Sequence, residues 1–148
     1  MKVWASLLFL LLINSTASFA EQKSIIGRGT QGLSIIPLTL TNRGNNPLTC
    51  SVSTAHWYSV PLGDIQSGKT LHVTLWKNID SGEIYLLNIH QDQMPVQSLW
   101  CGERGNAYNT RQQLTLPDRR GVAPGSISLQ CHVQGDRVRC QNTVTPVG

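Results

Sequence analysis

Charge is scarce in this chain. Asp, Glu, Lys and Arg together make up 14% of its residues, against about 25% in ordinary globular domains. Apart from Leu, good helix formers are also few beyond residue 20, where Ala, Glu and Lys number three each and Thr, Ser, Gln, Asn, Val and Ile abound. Long helices favour Ala, Leu, Glu and Lys, so an all-helical reading is poor. The sequence contains no internal repeat and no low-complexity segment. It also lacks a Gly-x-Ser-x-Gly nucleophile elbow. Neither paired cysteines two residues apart nor histidines three to five residues apart occur, so the usual zinc spacings are missing. The net charge of +4 is spread along the chain. Nucleic-acid binding calls for basic residues gathered into a stripe or cluster, and no such partner is expected.

One apolar run is present, at the start. Met1-Lys2 is a short basic opening, residues 3–13 are apolar except for Ser6, and residues 14–20 end in Ser18-Phe19-Ala20. Small residues at the −3 and −1 positions complete the layout of a cleaved signal peptide over residues 1–20. The run falls well short of the ~20 residues that a membrane-spanning helix needs, and no second run follows. Residues 21–148 are therefore expected to form one exported domain, periplasmic or secreted, with no transmembrane segment. The short signal peptide and the absence of an Asn-x-Ser/Thr sequon after residue 20 suit a bacterial source.

Four cysteines, Cys50, Cys101, Cys131 and Cys140, are an even count in an exported chain, which favours disulfides over metal or catalytic thiols. Gly135-Asp136 between the last two is a two-residue hairpin turn, Gly supplying the positive φ that such turns require. That turn sets Gln134 opposite Arg137, Val133 opposite Val138, His132 opposite Arg139 and Cys131 opposite Cys140. The cysteines fall at a non-hydrogen-bonded pair, where Cα atoms are ~4.5 Å apart, close enough for a disulfide. The same register puts Ile127, Leu129, Cys131, Val133, Val138 and Cys140 on one face. Ser128, Gln130, His132, Arg137 and Arg139 share the other. By subtraction the second bridge is Cys50–Cys101.

Alternating apolar residues mark the remaining strands. Ile36, Leu38 and Leu40 point one way in residues 33–41, where Pro37 hints at an edge or bulge. Leu48, Cys50 and Val52 alternate next, followed by Leu71, Val73 and Leu75 opposite His72, Thr74 and Trp76. Residues 83–90 are apolar on both faces, as a central strand would be. Residues 96–101 and 108–116 add two strands, and residues 24–26 a short edge. Residues 61–68 and 117–125 read as connections. Eight or nine short strands without helical periodicity indicate an all-β, antiparallel β-sandwich.

Two passages carry a resemblance. Residues 37–52, Pro-Leu-Thr-Leu-Thr-Asn-Arg-Gly-Asn-Asn-Pro-Leu-Thr-Cys-Ser-Val, resemble the strand–Asn-x-Gly turn–strand of bacterial immunoglobulin-like envelope domains. Residues 65–75 look like the Gly-led strand that crosses back in those domains. The resemblance implies an immunoglobulin-like sandwich and brings no catalytic residues with it.

Candidate chemistry is correspondingly thin. His90 and Met94 could face a soft metal, but a strand end and a polar turn explain them as well, and no metal or other cofactor is expected. The carboxylates Asp64, Asp80, Glu83, Asp92, Glu103, Asp118 and Asp136 sit mostly in turns, where such residues bond local backbone. Binding surfaces remain. In His56-Trp57-Tyr58 neighbouring aromatics cannot all face the core, and Trp76 falls opposite the apolar row of its strand. Exposed aromatics are common anchors of contacts. Arg137, Arg139 and His132 share the outer face of the last hairpin, with Arg119 and Arg120 expected nearby, and Arg suits bidentate anion contact. Trp57, Tyr58, Trp76, His132, Arg137 and Arg139 are therefore the candidate binding residues. The expected function is a non-catalytic envelope accessory that binds an envelope protein or an anionic glycan. The alternative is a small-ligand or metal-binding carrier.

Overall fold

The computed structural model describes residues 25–55 and 58–143. The expected signal peptide, residues 1–20, lies outside the described residues. Nine strands dominate: β1 (Ser34–Asn42), β2 (Leu48–Thr54), β3 (Ser59–Ile65), β4 (Thr70–Lys77), β5 (Ile84–Leu87), β6 (Gln93–Glu103), β7 (Gln112–Leu114), β8 (Ile127–Gln134) and β9 (Arg137–Asn142). One helical turn, α1 (Ala107–Thr110), precedes β7. Strand order is β3-β2-β6-β5-β4-β1-β8-β9, with β7 on the free side of β6. Every pairing is antiparallel except β1 with β8, which run parallel.

β6 turns this ribbon of strands into two layers. Its first residues, Gln93 to Pro95, pair with β5, whereas residues from Val96 onward pair with β2 and then β7. One layer is thus β5-β4-β1-β8-β9, the other β3-β2-β6-β7, and the result is sandwich-like. The apolar alternation reaches the core as the sequence implied. Ile36, Leu38, Leu40, Leu48, Val52 and Leu75 are buried together with Ile65, Leu99, Leu114, Leu129 and Val138. Each fully buried aliphatic side chain contributes ~1.5–3 kcal/mol.

Both disulfides are present, Cys50–Cys101 between β2 and β6 and Cys131–Cys140 within the last hairpin, each joining cross-strand partners with Cα atoms 4.1 Å apart. The hairpin register is the expected one, pair for pair from Gln134–Arg137 to Cys131–Cys140. Gly135 has φ 65° and Asp136 does not share the positive sign, the pattern of a type II′ turn.

Four local readings change. Residues 108–116 are not one strand, because Thr110 draws the chain into a helical turn. Its hydroxyl donates to the Asn106 carbonyl (2.9 Å) and accepts from the Glu103 amide (2.8 Å), leaving only Gln112–Leu114 to pair with β6. Part of the expected connection at residues 61–68 is strand: β3 includes Pro61 as an edge strand can, and pairs β2 across a register shift between Cys50 and Ser51. Of the edge strand expected at residues 24–26, residue 24 lies outside the described residues and Ile25 and Ile26 form no strand; the segment instead makes an isolated bridge, Arg28 to Asp92. The strand expected over residues 83–90 stops at Leu87, where the Asn88 side chain accepts from the amides of His90 and Asp92 and folds a tight turn. Pro37 stands on the half of β1 that precedes its pairing with β8, where β1 has a single neighbour.

Two inward positions, Lys77 and Asn42, were unforeseen. Lys77 continues the Leu71, Val73, Leu75 row and is 1% exposed. Its ammonium donates to the carbonyls of Arg119 and Val122, both at 2.8 Å, so the loop after β7 is fastened to the core by a lysine.

Candidate functional site

The outward face of the β5-β4-β1-β8-β9 layer brings most of the candidate residues into one field. Because Leu75, Lys77 and Ile84 face the core, Trp76 and Tyr85 face out. Strand pairing aligns Pro95, Tyr85, Trp76 and Ile35 in one row across four strands. Toward the other end come His72–Thr39–Ser128, then Thr70–Thr41–Gln130–Gln141, then His132–Arg139 and Gln134–Arg137. The face is aromatic at one end, hydroxyl- and amide-bearing in the middle, and basic at the other. From Ile35 to Thr41 it runs about 20 Å at the ordinary strand rise. None of these rows contains an Asp or Glu.

Arg43 joins the basic end. Its amide donates to the Cys131 carbonyl (2.8 Å), holding the turn after β1 against β8. The turn is shaped by Asn42, which is fully buried. The Asn42 amide donates to the carbonyls of Asn46 (2.8 Å) and Ile65 (2.9 Å), and its oxygen accepts from the Gly44 amide (2.9 Å). Two shallow depressions flank the resulting cluster. One, of about 350 Å³, is bordered by Arg43, Asn46, His132 and Gly135; the other, of about 320 Å³, by Arg43, Gln130, His132, Gln141 and Asn142. Amides, a guanidinium and an imidazole line them, and no carboxylate does.

The sequence-named residues divide as follows. His132, Arg137 and Arg139 lie together, with Arg137 and Arg139 exposed. Trp76 shares their face but at its far end, half-buried between Ile35 and Tyr85. Tyr58 is 70% exposed and lies off these rows, in a groove that reaches Tyr85 and Pro95 at the aromatic end. Trp57 lies outside the described residues. Arg119 and Arg120 are not near the hairpin. Their loop is bound to Lys77 and to Ile79, at the level of Ser34, whereas the hairpin meets the opposite end of β1 at Asn42. Proximity along the chain misled because β8 enters midway along β1 and runs away from that loop. Arg43 was missed, since only the parallel β1–β8 pairing, which no local motif announces, brings it to His132; Gln130 and Gln141 stand opposite each other within the hairpin itself.

A second feature is an apolar groove of about 800 Å³ between the N-terminal segment, the β2–β3 turn and the start of β6. Ile25, Ile26, Tyr58, Val60, Tyr85 and Met94 line it, with Asn88 and Asp92 among its polar residues. Asp92 accepts from Arg28 (2.7 Å) and Asn88 (3.1 Å). The Asn88 hydrogen bond first, then that from Arg28, hold its carboxyl below the usual range. Burial, seconded by the hydrogen bond to Glu83 at 2.7 Å, pushes the Tyr85 phenol up to about 12. Glu83 and Asp118 both border a depression of about 270 Å³ beside Gly82, but Glu83 is engaged by the Tyr85 and Ser81 hydroxyls. His90 is exposed at the tip of the Asn88 turn. Among the described residues the only cluster with metal-ligating atoms is that of Cys101, Cys131 and Cys140, all consumed in disulfides.

No protein-family model matches the chain, and no curated protein matches it.

Proposed function

We propose that this chain is an exported, non-catalytic binding module of immunoglobulin-like sandwich architecture, periplasmic or secreted, that holds an anionic glycan of the cell envelope. The reading rests on one observation: the outward field from Tyr85 to Arg137 carries Arg137, Arg139, His132 and His72 and is joined by Arg43, with no carboxylate in any row and Glu83 touching it at the Tyr85 hydroxyl, far from the basic end. Its chemistry suits an acidic polysaccharide lying along the strands. Guanidinium groups meet carboxylate, sulfate or phosphate substituents in bidentate fashion. The amides and hydroxyls of the middle rows offer hydrogen bonds to sugar hydroxyls, and the Trp76–Tyr85 end offers a ring surface. Pairing of all four cysteines supports residence in an oxidising compartment. No described helix is long and apolar enough to cross a membrane.

The test is binding of residues 21–148 to a uronic-acid polysaccharide and to a neutral glucan, at low and at moderate salt. The acidic polymer is expected to bind more tightly, with affinity falling as salt rises. Arg43→Ala/Arg137→Ala/Arg139→Ala should weaken it at least tenfold with an unchanged melting temperature. Equal affinity for the neutral glucan, or an unaltered triple variant, overturns the reading. The apolar groove favours a second reading, a carrier of a small apolar ligand. A Tyr58→Ala effect on ligand uptake, with the arginine variant silent, would select it.

A further inference from the structure

The cysteine sulfurs gather at one point between the layers. Cys50–Cys101 belongs to the β2–β6 layer and Cys131–Cys140 to the β8–β9 hairpin of the other, yet the sulfurs of Cys101, Cys131 and Cys140 lie within 4.8 Å of one another. The two bridges therefore face each other across the core. Their exposure is unequal. Cys50, Cys101 and Cys131 are fully buried, whereas Cys140 is half-buried on edge strand β9. A reductant arriving from solvent meets the cluster at Cys140.

We infer that the two bridges form an exchange pair, through which reduction at the surface is passed inward and re-formed as a bridge between the layers. The co-reactant is an external dithiol. Its thiolate attacks Sγ of Cys140, the Cys131–Cys140 bond breaks, and the electron pair leaves on Cys131. The Cys131 thiolate then attacks Sγ of Cys101, forming Cys101–Cys131 and expelling Cys50 as thiolate. The second thiol of the reductant displaces Cys140 from the mixed disulfide. One dithiol ends as a disulfide, its two protons pass to Cys50 and Cys140, and one protein disulfide has been lost. The surviving bridge joins β6 to β8, so the layers are covalently tied where the starting protein has ties only between neighbouring strands.

The basic residues of the sequence make the test direct. Arg or Lys separates every pair of cysteines, so trypsin leaves each cysteine on its own peptide. Folded protein is treated with limiting dithiothreitol, quenched in acid, alkylated and digested, and the species with two labels is mapped. Exchange gives labels on Cys50 and Cys140 and a Cys101–Cys131 linked peptide pair. Labels on Cys131 and Cys140 with Cys50–Cys101 intact overturn the inference, as do labels on Cys50 and Cys101. If reduction runs straight to four labels, Cys140→Ser decides the matter, since it leaves Cys131 beside an intact bridge. Labelling at Cys50 then supports exchange, and labelling at Cys131 refutes it.

Discussion

Two polar side chains sit where the alternation demands oil. Lys77 is held in the core by two carbonyls of the loop that follows β7, and Asn42 by three backbone groups around the turn that carries Arg43. A buried polar group is tolerated when it is hydrogen-bonded and is expensive otherwise. Lys77→Met keeps most of the volume but strands two carbonyls, so it should destabilise the fold by ~1–3 kcal/mol in urea unfolding. The same variant should be cut by trypsin after Arg119 or Arg120 faster than the parent, because those residues lose their tether. Gly82 supports the same loop: at φ 81°, a Cβ there would collide with the Asp118 carbonyl. Tyr85 adds a pH dependence. Its folded pKa of about 12 lies above the ordinary 10.0, so between those values the unfolded chain releases a proton that the folded chain keeps. Stability from this group is whole below pH 10 and is lost as pH climbs toward 12. Tyr85→Phe should flatten the decline in unfolding free energy measured over that window; an unchanged slope would show that the phenol ionises alike in both states.

At the level of elements, the β8–β9 hairpin explains why some of the fold was legible. Its turn, its pairing and its inward face are all encoded within sixteen or so neighbouring residues, so turn chemistry and alternation could be checked against each other. The left-handed Gly135 is the hinge of that code. Gly135→Ala should cost ~1–2 kcal/mol, and Gly135→Asn less, in thermal unfolding. The edge of β9 is finished by something no pattern foretold: the Gln112 side chain accepts from the Cys140 amide at 2.7 Å. What stayed hidden is non-local. β3, interrupted by Pro61 and Gly63, is a strand only because β2 offers a partner and a bulge absorbs the mismatch. The parallel seating of β8 on β1, which brings Arg43 to His132, joins segments some 90 residues apart, and the alternation in each says nothing of its partner. Arg137 and Arg139 were readable as one face; their distance from Arg119 and Arg120 was not.

Across the whole molecule, the disulfides link segments of very different reach, separations of 51 and 9 residues. Loop entropy assigns ~4 kcal/mol to the longer closure and ~3 kcal/mol to the shorter, a large share of the ~5–15 kcal/mol that holds an ordinary domain together. If each bridge acted only by restricting the unfolded chain near itself, Cys50→Ala/Cys101→Ala and Cys131→Ala/Cys140→Ala would add nearly independently. Their sulfurs are in one cluster, however, and each bridge forms part of the wall against which the other packs. Removing one lets the core relax around the gap, so removing the second takes away less packing than it would from the intact protein. The four-alanine variant should then lose less than the sum of the two pairs, by ~0.5–3 kcal/mol, as contacting residues do. A double-mutant cycle by urea unfolding measures this directly. Additivity within ~0.5 kcal/mol would mean that the bridges do not touch in solution, and the layers would have to meet elsewhere than at their cysteines.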